Sequence, residues 1–144
     1  MNTEIELRAW DTQEKVMNYT GIAEEMLYRI KNEAKFPKNR FIIMQSTGIT
    51  DKKGNKIYAG DVRREDIPDE EHGMPDDILY FICVWVNSIA SFQWMELCLY
   101  KVADIDKAYD DPMDNDMFGQ VDSHESNRYN VIGNIYEKPE LLKL

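Results

Sequence analysis

One stretch spaces chemistry-bearing side chains as a known binding loop does: Asp114-Asn115-Asp116-Met117-Phe118-Gly119-Gln120-Val121-Asp122-Ser123-His124-Glu125. Acidic oxygens fall at loop positions one, three, nine and twelve, glycine at six and an aliphatic residue at eight, the order of an EF-hand calcium loop. Phe118, however, stands at the fifth position, where a ligand oxygen belongs. Pro112 precedes the loop where a helix should enter, and a β-type segment follows it. The stretch is therefore read as a solvated acidic loop. Asp114, Asp116, Asp122 and Glu125 are not taken as a metal site, and no cofactor is expected.

Other reactive patterns fare worse. Cys83 and Cys98 are the two cysteines, both inside apolar runs and neither flanked by Cys or His at metal spacing, so they read as reduced core thiols. The two histidines, His72 and His124, lie in polar acidic stretches where nothing local would hold either against a thiolate. Carboxylate pairs such as Asp76-Asp77 and Asp110-Asp111 sit in polar surroundings. General acid and base roles need a cleft that desolvates one partner. The chain shows no glycine-rich phosphate loop, Ser-His-Asp set or helical His pair. The expectation is a protein that is not an enzyme.

Something must position whatever these residues do, and 144 residues with 43% hydrophobic content suffice for one core. A single domain, 1–144, is expected, with a strand–helix subregion over 1–40 and a β core over 41–144. The longest apolar run, Ile78 to Val86, is strand-sized and far below the ~20 residues of a membrane span. The opening Met-Asn-Thr-Glu-Ile-Glu lacks the basic-then-apolar pattern of a secretion signal, so a cytoplasmic location is expected. Charge is lopsided. Residues 1–64 hold 12 Lys and Arg against 9 Asp and Glu, whereas residues 65–144 hold 5 against 18. An acidic back half repels phosphate and disfavours nucleic-acid binding.

Residue pattern predicts an α+β, mainly β fold: an antiparallel sheet or small barrel-like core with one N-terminal helix and a short helical tail. Leu7 to Trp10 alternates as a strand that turns at Asp11-Thr12 and returns through Val16-Met17. Ile22, Met26, Leu27 and Ile30 recur at helical steps, so a helix is expected from about 21 to 35, ended by Pro37. Phe41 to Gln45 reads as a strand, Asp51 to Asn55 as a turn and Ile57-Tyr58 as the returning strand. The strand begun at Gly60-Asp61-Val62 is expected to end in an acidic loop over 65–77. Ile78 to Val86 and Phe92 to Val102 then read as a central hairpin. A second acidic loop, 104–125, with a short helix near Val102 to Tyr109, precedes a last strand over Tyr129 to Tyr136 and a helical tail from Pro139 to Leu144.

Three blocks stand out: Leu7-Arg8-Ala9-Trp10-Asp11 with Val16-Met17; Met44 through Val62, containing Thr47-Gly48, Asp51, Gly54, Ile57-Tyr58-Ala59-Gly60-Asp61; and Val131-Ile132-Gly133-Asn134-Ile135-Tyr136 with Pro139-Glu140-Leu141. In this order they resemble the YopX-like proteins of phages and prophages, a family of unknown function. The resemblance implies phage or prophage origin and a largely β architecture, and it supplies no catalytic residues. The family commonly has Glu between Tyr and Gly in the middle block, where this chain has Ala59. Physically, the glycines, Asp51 and Asn55 suit turns or bulges, and the Ile-Tyr pairs suit sheet faces. Such a motif builds a fold. The function expected is therefore a non-catalytic interaction or self-assembling accessory protein, acting with phage or host proteins as a homo-oligomer. Trp10 and Trp94 are candidate interface anchors. The alternatives are an acidic DNA-mimic decoy of a host nucleic-acid-binding protein and a small nucleic-acid-binding barrel.

Overall fold

A computed structural model describes residues 6–19, 21, 24, 28, 40–67, 77–100, 118–122 and 129–144. Within them the backbone forms two antiparallel sheets. The first contains β1 (Leu7–Asp11), β2 (Val16–Asn18), β3 (Phe41–Thr50) and β4 (Lys56–Tyr58), in the order β2-β1-β3-β4. The second contains β5 (Asp61–Ile67), β6 (Asp77–Val86), β7 (Ser91–Glu96), β8 (Phe118–Gln120) and β9 (Val131–Asn134), in the order β8-β7-β6-β5-β9. The mainly β expectation stands, with two sheets.

β1 stops at Asp11 because its carboxylate accepts the N–H groups of Gln13 and Glu14, which turns the chain toward β2. β3 runs on to Thr50, past the Gln45 end expected from sequence. Of the turn or bulge that the glycines suit, Gly48 makes the bulge: it interrupts the ladder to β4 between the pairs Ser46–Tyr58 and Thr50–Lys56, at φ +78°.

β5 and β6 extend into the stretch expected to be an acidic loop over 65–77. Residues two apart share a strand face, and on β5 Arg63 pairs with Glu65 and Arg64 with Asp66, so the acids are neutralised along the strand. The ladder to β6 therefore continues as far as Ile67–Asp77. β7, by contrast, ends at Glu96 rather than Val102: Leu97–Tyr100 forms one α-helical turn that tucks Leu97 into the core.

The helices need correction. Of the one expected over about 21–35, only Gly21, Glu24 and Tyr28 are described residues, and the one near Val102 to Tyr109 lies outside them. The tail is a 3-10 segment, Pro139–Lys143, not an α-helix, in keeping with how short the run after Pro139 is. Among the described residues no helix is long and apolar enough to cross a membrane.

Three apolar clusters hold the sheets. Val62, Ile82, Val84, Val86, Met95, Leu97 and Leu141 cover one face of the second sheet. Ile57, Cys83, Trp94 and Val121 pack on its other face. Trp10, Met44 and Tyr58 form the third cluster, joined by Tyr136 at its margin.

Candidate functional site

The three sequence blocks meet at one place. Between β4 and β5 the chain reverses through Ala59-Gly60, and the Asp61 carboxylate reaches back to accept the Tyr58 N–H at 2.8 Å. Gly60 lies at φ +91°, and a Cβ there would come within 2.8 Å of the Tyr136 ring, so glycine is required twice over. Its N–H donates to the Cys83 carbonyl, and its own carbonyl accepts from Ile135. The turn thus ties β4, β6 and the end of β9 together.

Into this turn comes Arg8 from β1. Its guanidinium donates to Asp61 Oδ1 at 2.8 Å and to the Ala59 carbonyl at 3.2 Å, and it lies 4.5 Å from the centre of the Tyr58 ring. Both partners are buried, at 3% and 4% side-chain exposure. Burial pushes the Asp61 carboxyl above its ordinary range, outweighing Arg8 and the Tyr58 N–H, which pull it down. Such a pair clamps the first sheet to the second, and Arg8 Nε donates to the Met44 sulfur at 3.4 Å.

Asp51 does similar work at the tip of the β3–β4 hairpin. One carboxylate oxygen accepts the N–H groups of Lys53 and Asn55, and the other accepts that of Val131, the first residue of β9. Between this bridge and the Gly60 turn lies an open cleft of about 630 Å³, with Arg8, Tyr58 and Asp61 among its lining. Lys56 and Glu6 pair with each other at its rim, Tyr19 stands over Tyr58 edge to face, and all four residues of β9 contribute to its wall.

Of the acidic stretch 114–125, the structure describes residues 118–122. Phe118–Gln120 is β8, laddered to Gln93–Met95 of β7, and Val121 is buried in the core. Asp122 is half-buried; Asp114, Asp116 and Glu125 lie outside the described residues, as do both histidines. Among the described residues no group of three His, Cys, Asp or Glu side chains is placed to hold a metal ion.

The cysteines divide. Cys83 is a core thiol whose burial pushes its pKa well up, but Cys98 is exposed, against expectation, and its thiol donates to Glu96. The helical turn after Glu96 rotates it out of the sheet. Trp10 and Trp94 are 8% and 1% exposed and so cannot anchor a partner; Trp85, at 42%, can.

Sequence reasoning missed the buried cations. Arg8 has been described; Arg63 is enclosed by the rings of Phe81, Tyr129 and Trp94 at 4.3 to 5.0 Å, with Glu65 bound by both Arg63 and the Tyr129 hydroxyl. Arg40 grips Asp11 through two hydrogen bonds of 3.0 and 2.9 Å. An arginine inside an otherwise apolar strand, as in Leu7-Arg8-Ala9-Trp10, was the available signal.

No curated protein matches the chain. Among solved structures, the crystal structure of protein EF1440 from Enterococcus faecalis is similar in fold, with a TM-score of 0.57 at 24% identity, covering 98% of this chain and 99% of that one. The model of the family described as YopX protein matches residues 6–143, which takes in all three blocks that meet around Arg8 and Asp61. The chain belongs to the YopX family.

Proposed function

We propose that this is a non-catalytic interaction protein of phage or prophage origin, working in the bacterial cytoplasm and associating with copies of itself. The carrying observation is an apolar surface at the far end of the β6–β7 hairpin. Trp85 and Ile89 are 42% and 39% exposed, and the Trp85 ring meets Phe92 of the neighbouring strand edge to face at 4.9 Å. β8 ladders with β7 only over Gln93–Met95, so Ser91 and Phe92 extend past its end. Exposed tryptophan beside a strand end that β8 does not ladder among the described residues is the composition of interface centres. The use of the family's charged residues as clamps within the fold also supports a non-catalytic role.

Light scattering at tens of micromolar protein, in low and high salt, tests this. The expected result is a mass above the 16.9 kDa monomer that falls when Trp85→Ser is introduced. A monomer mass in both salts would overturn it.

A further inference from the structure

Arg8 is buried yet only partly used by the fold. At 3% side-chain exposure it donates from Nη2 to Asp61 and the Ala59 carbonyl and from Nε to the Met44 sulfur. Nη1 has no hydrogen-bond partner among the described residues and is not sealed off by protein, and Arg8 lines the cleft. An acceptor for it must come from what the cleft holds. We propose that the cleft binds a small organic monocarboxylate with an aromatic body, the carboxylate accepting from Arg8 Nη1 and Lys56 Nζ. This goes beyond the self-association reading and does not depend on it.

Strand geometry brings the two donors onto one wall. Residues two apart on a strand point the same way, so Glu6, just before β1, shares a face with Arg8, and Lys56 shares one with Tyr58 on β4. Glu6 pairs with Lys56, and the Arg8 guanidinium lies 4.5 Å from the centre of the Tyr58 ring. All four therefore stand on the same side of the first sheet, and all four line the cleft.

Charge sets the class of ligand. Asp61 has one oxygen on Arg8 and the other on the Tyr58 N–H, so it stays in place as the counter-charge of Arg8. Glu6 is different: its side chain is 41% exposed, and a pair so well solvated is exchanged at little cost. A ligand carboxylate that takes its place on Lys56 leaves the charge of the cleft wall unchanged and meets the Nη1 donor as well. A dianion would instead add a negative charge beside Asp61 that no cation offsets. The volume of about 630 Å³ is in the range of small-molecule sites. Tyr19, 54% exposed and edge to face with Tyr58 at 6.1 Å, supplies a ring for the body of the ligand.

The probe is benzoate, titrated into the full-length protein while guanidinium and amide resonances are followed by NMR. The expected result is saturable binding with a dissociation constant of about 1 mM or tighter, with the Arg8 guanidinium signals shifting. Three analogues are each expected to bind at least about tenfold more weakly: benzamide, which lacks the charge, phenylphosphonate as the dianion, and acetate, which lacks the ring. Lys56→Ala and Tyr19→Ala, both at exposed positions, should each weaken benzoate by about tenfold. Glu6→Gln, which removes the competing carboxylate, should tighten it. The wild-type Arg8 signals report the contact directly, so the test needs no Arg8 variant, which would break the buried pair. No saturation by about 20 mM benzoate, or Arg8 signals that stay in place, would overturn the proposal. So would equal binding of any of the three analogues, wild-type affinity in Lys56→Ala or Tyr19→Ala, or weaker binding by Glu6→Gln.

Discussion

Two arginine–aspartate pairs carry the same charges at the same distance and do different things. Arg40 holds Asp11 with two hydrogen bonds at the end of β1, where the arginine remains 20% exposed. Arg8 holds Asp61 with one, and both are sealed between the sheets. At the first pair the Arg40 hydrogen bonds win over burial and bring the Asp11 carboxyl down to about 2; at the second, burial wins and pushes the Asp61 carboxyl up. Ionisation therefore stabilises the fold at Asp11 and costs stability at Asp61. What Asp61 contributes is shape and hydrogen bonding, chiefly to the Tyr58 N–H and Arg8.

The largest predicted effect separates these contributions. Asp61→Ala leaves a buried guanidinium and a backbone N–H without their acceptor, and breaking a buried pair in this way costs about 3–5 kcal/mol. Asp61→Asn keeps an acceptor oxygen for the Tyr58 N–H but leaves the buried Arg8 guanidinium without its counter-charge, so it should cost less than Asp61→Ala by about 1–3 kcal/mol, the penalty of one unsatisfied buried group. Urea denaturation of both variants measures the ratio. Equal losses would mean that the charge itself is what matters.

At Asp11 the ratio should reverse. Asp11→Ala is expected to cost about 1.5–3 kcal/mol, the range for hydrogen bonds to a charged group, and Asp11→Asn nearly as much, because here the charge is favourable. The pH dependence follows with opposite signs. A carboxyl lowered from 3.8 to about 2 gives stability that is present above pH 3.8 and lost as pH falls through 2. One that is raised, like Asp61, gives stability present below its unfolded value and lost as pH rises through the folded one. Thermal melts of wild type and Asp11→Asn should converge at the acid end of this window, and a constant gap down to pH 2 would refute the assignment.

Neither pair was apparent from sequence, although the strands around them were. Alternation identified β1, a run of β-branched and aromatic residues identified β6, and the turn residues Asp51, Gly54 and Asn55 identified the hairpin between β3 and β4. Arg8 and Asp61 lie 53 positions apart, and nothing local marks them as partners. The ends of strands were misread where charge or glycine stood next to them: Arg63 to Asp66 neutralise one another on β5, and β3 passes through a bulge at Gly48 instead of ending at Gln45. The acidic-loop reading of 104–125 failed at 118–120 for a different reason, because Phe118-Gly119-Gln120 belongs to a strand whose partner, β7, is more than 20 positions away.

Gly60 tests the turn on which the deeper pair depends. Gly60→Ala forces an L-residue to φ +91° and drives a Cβ against the Tyr136 ring, which packs from the end of β9. A strained φ costs about 1–3 kcal/mol, and displacement of Tyr136 adds to it. The readout is double: a lower urea midpoint, and an increase in Tyr136 exposure by quenching or chemical modification. A variant as stable as wild type would show that the turn can relax without disturbing the sheets' junction.

The smallest effect is expected at Lys56 and Glu6, whose pair crosses from β4 to β1 on the rim of the same cleft. Their side chains are 52% and 41% exposed, so water already solvates both charges and most of the attraction is offset by holding two flexible chains in place. Lys56→Ala should leave the urea midpoint unchanged within error at low and high salt alike, while Asp11→Ala on β1 and Asp61→Ala on β5 shift it clearly. If Lys56→Ala instead destabilises the protein in a salt-dependent way, exposure cannot be what ranks the three pairs. The rim charges would then have to be counted among the clamps that hold β4 to β1.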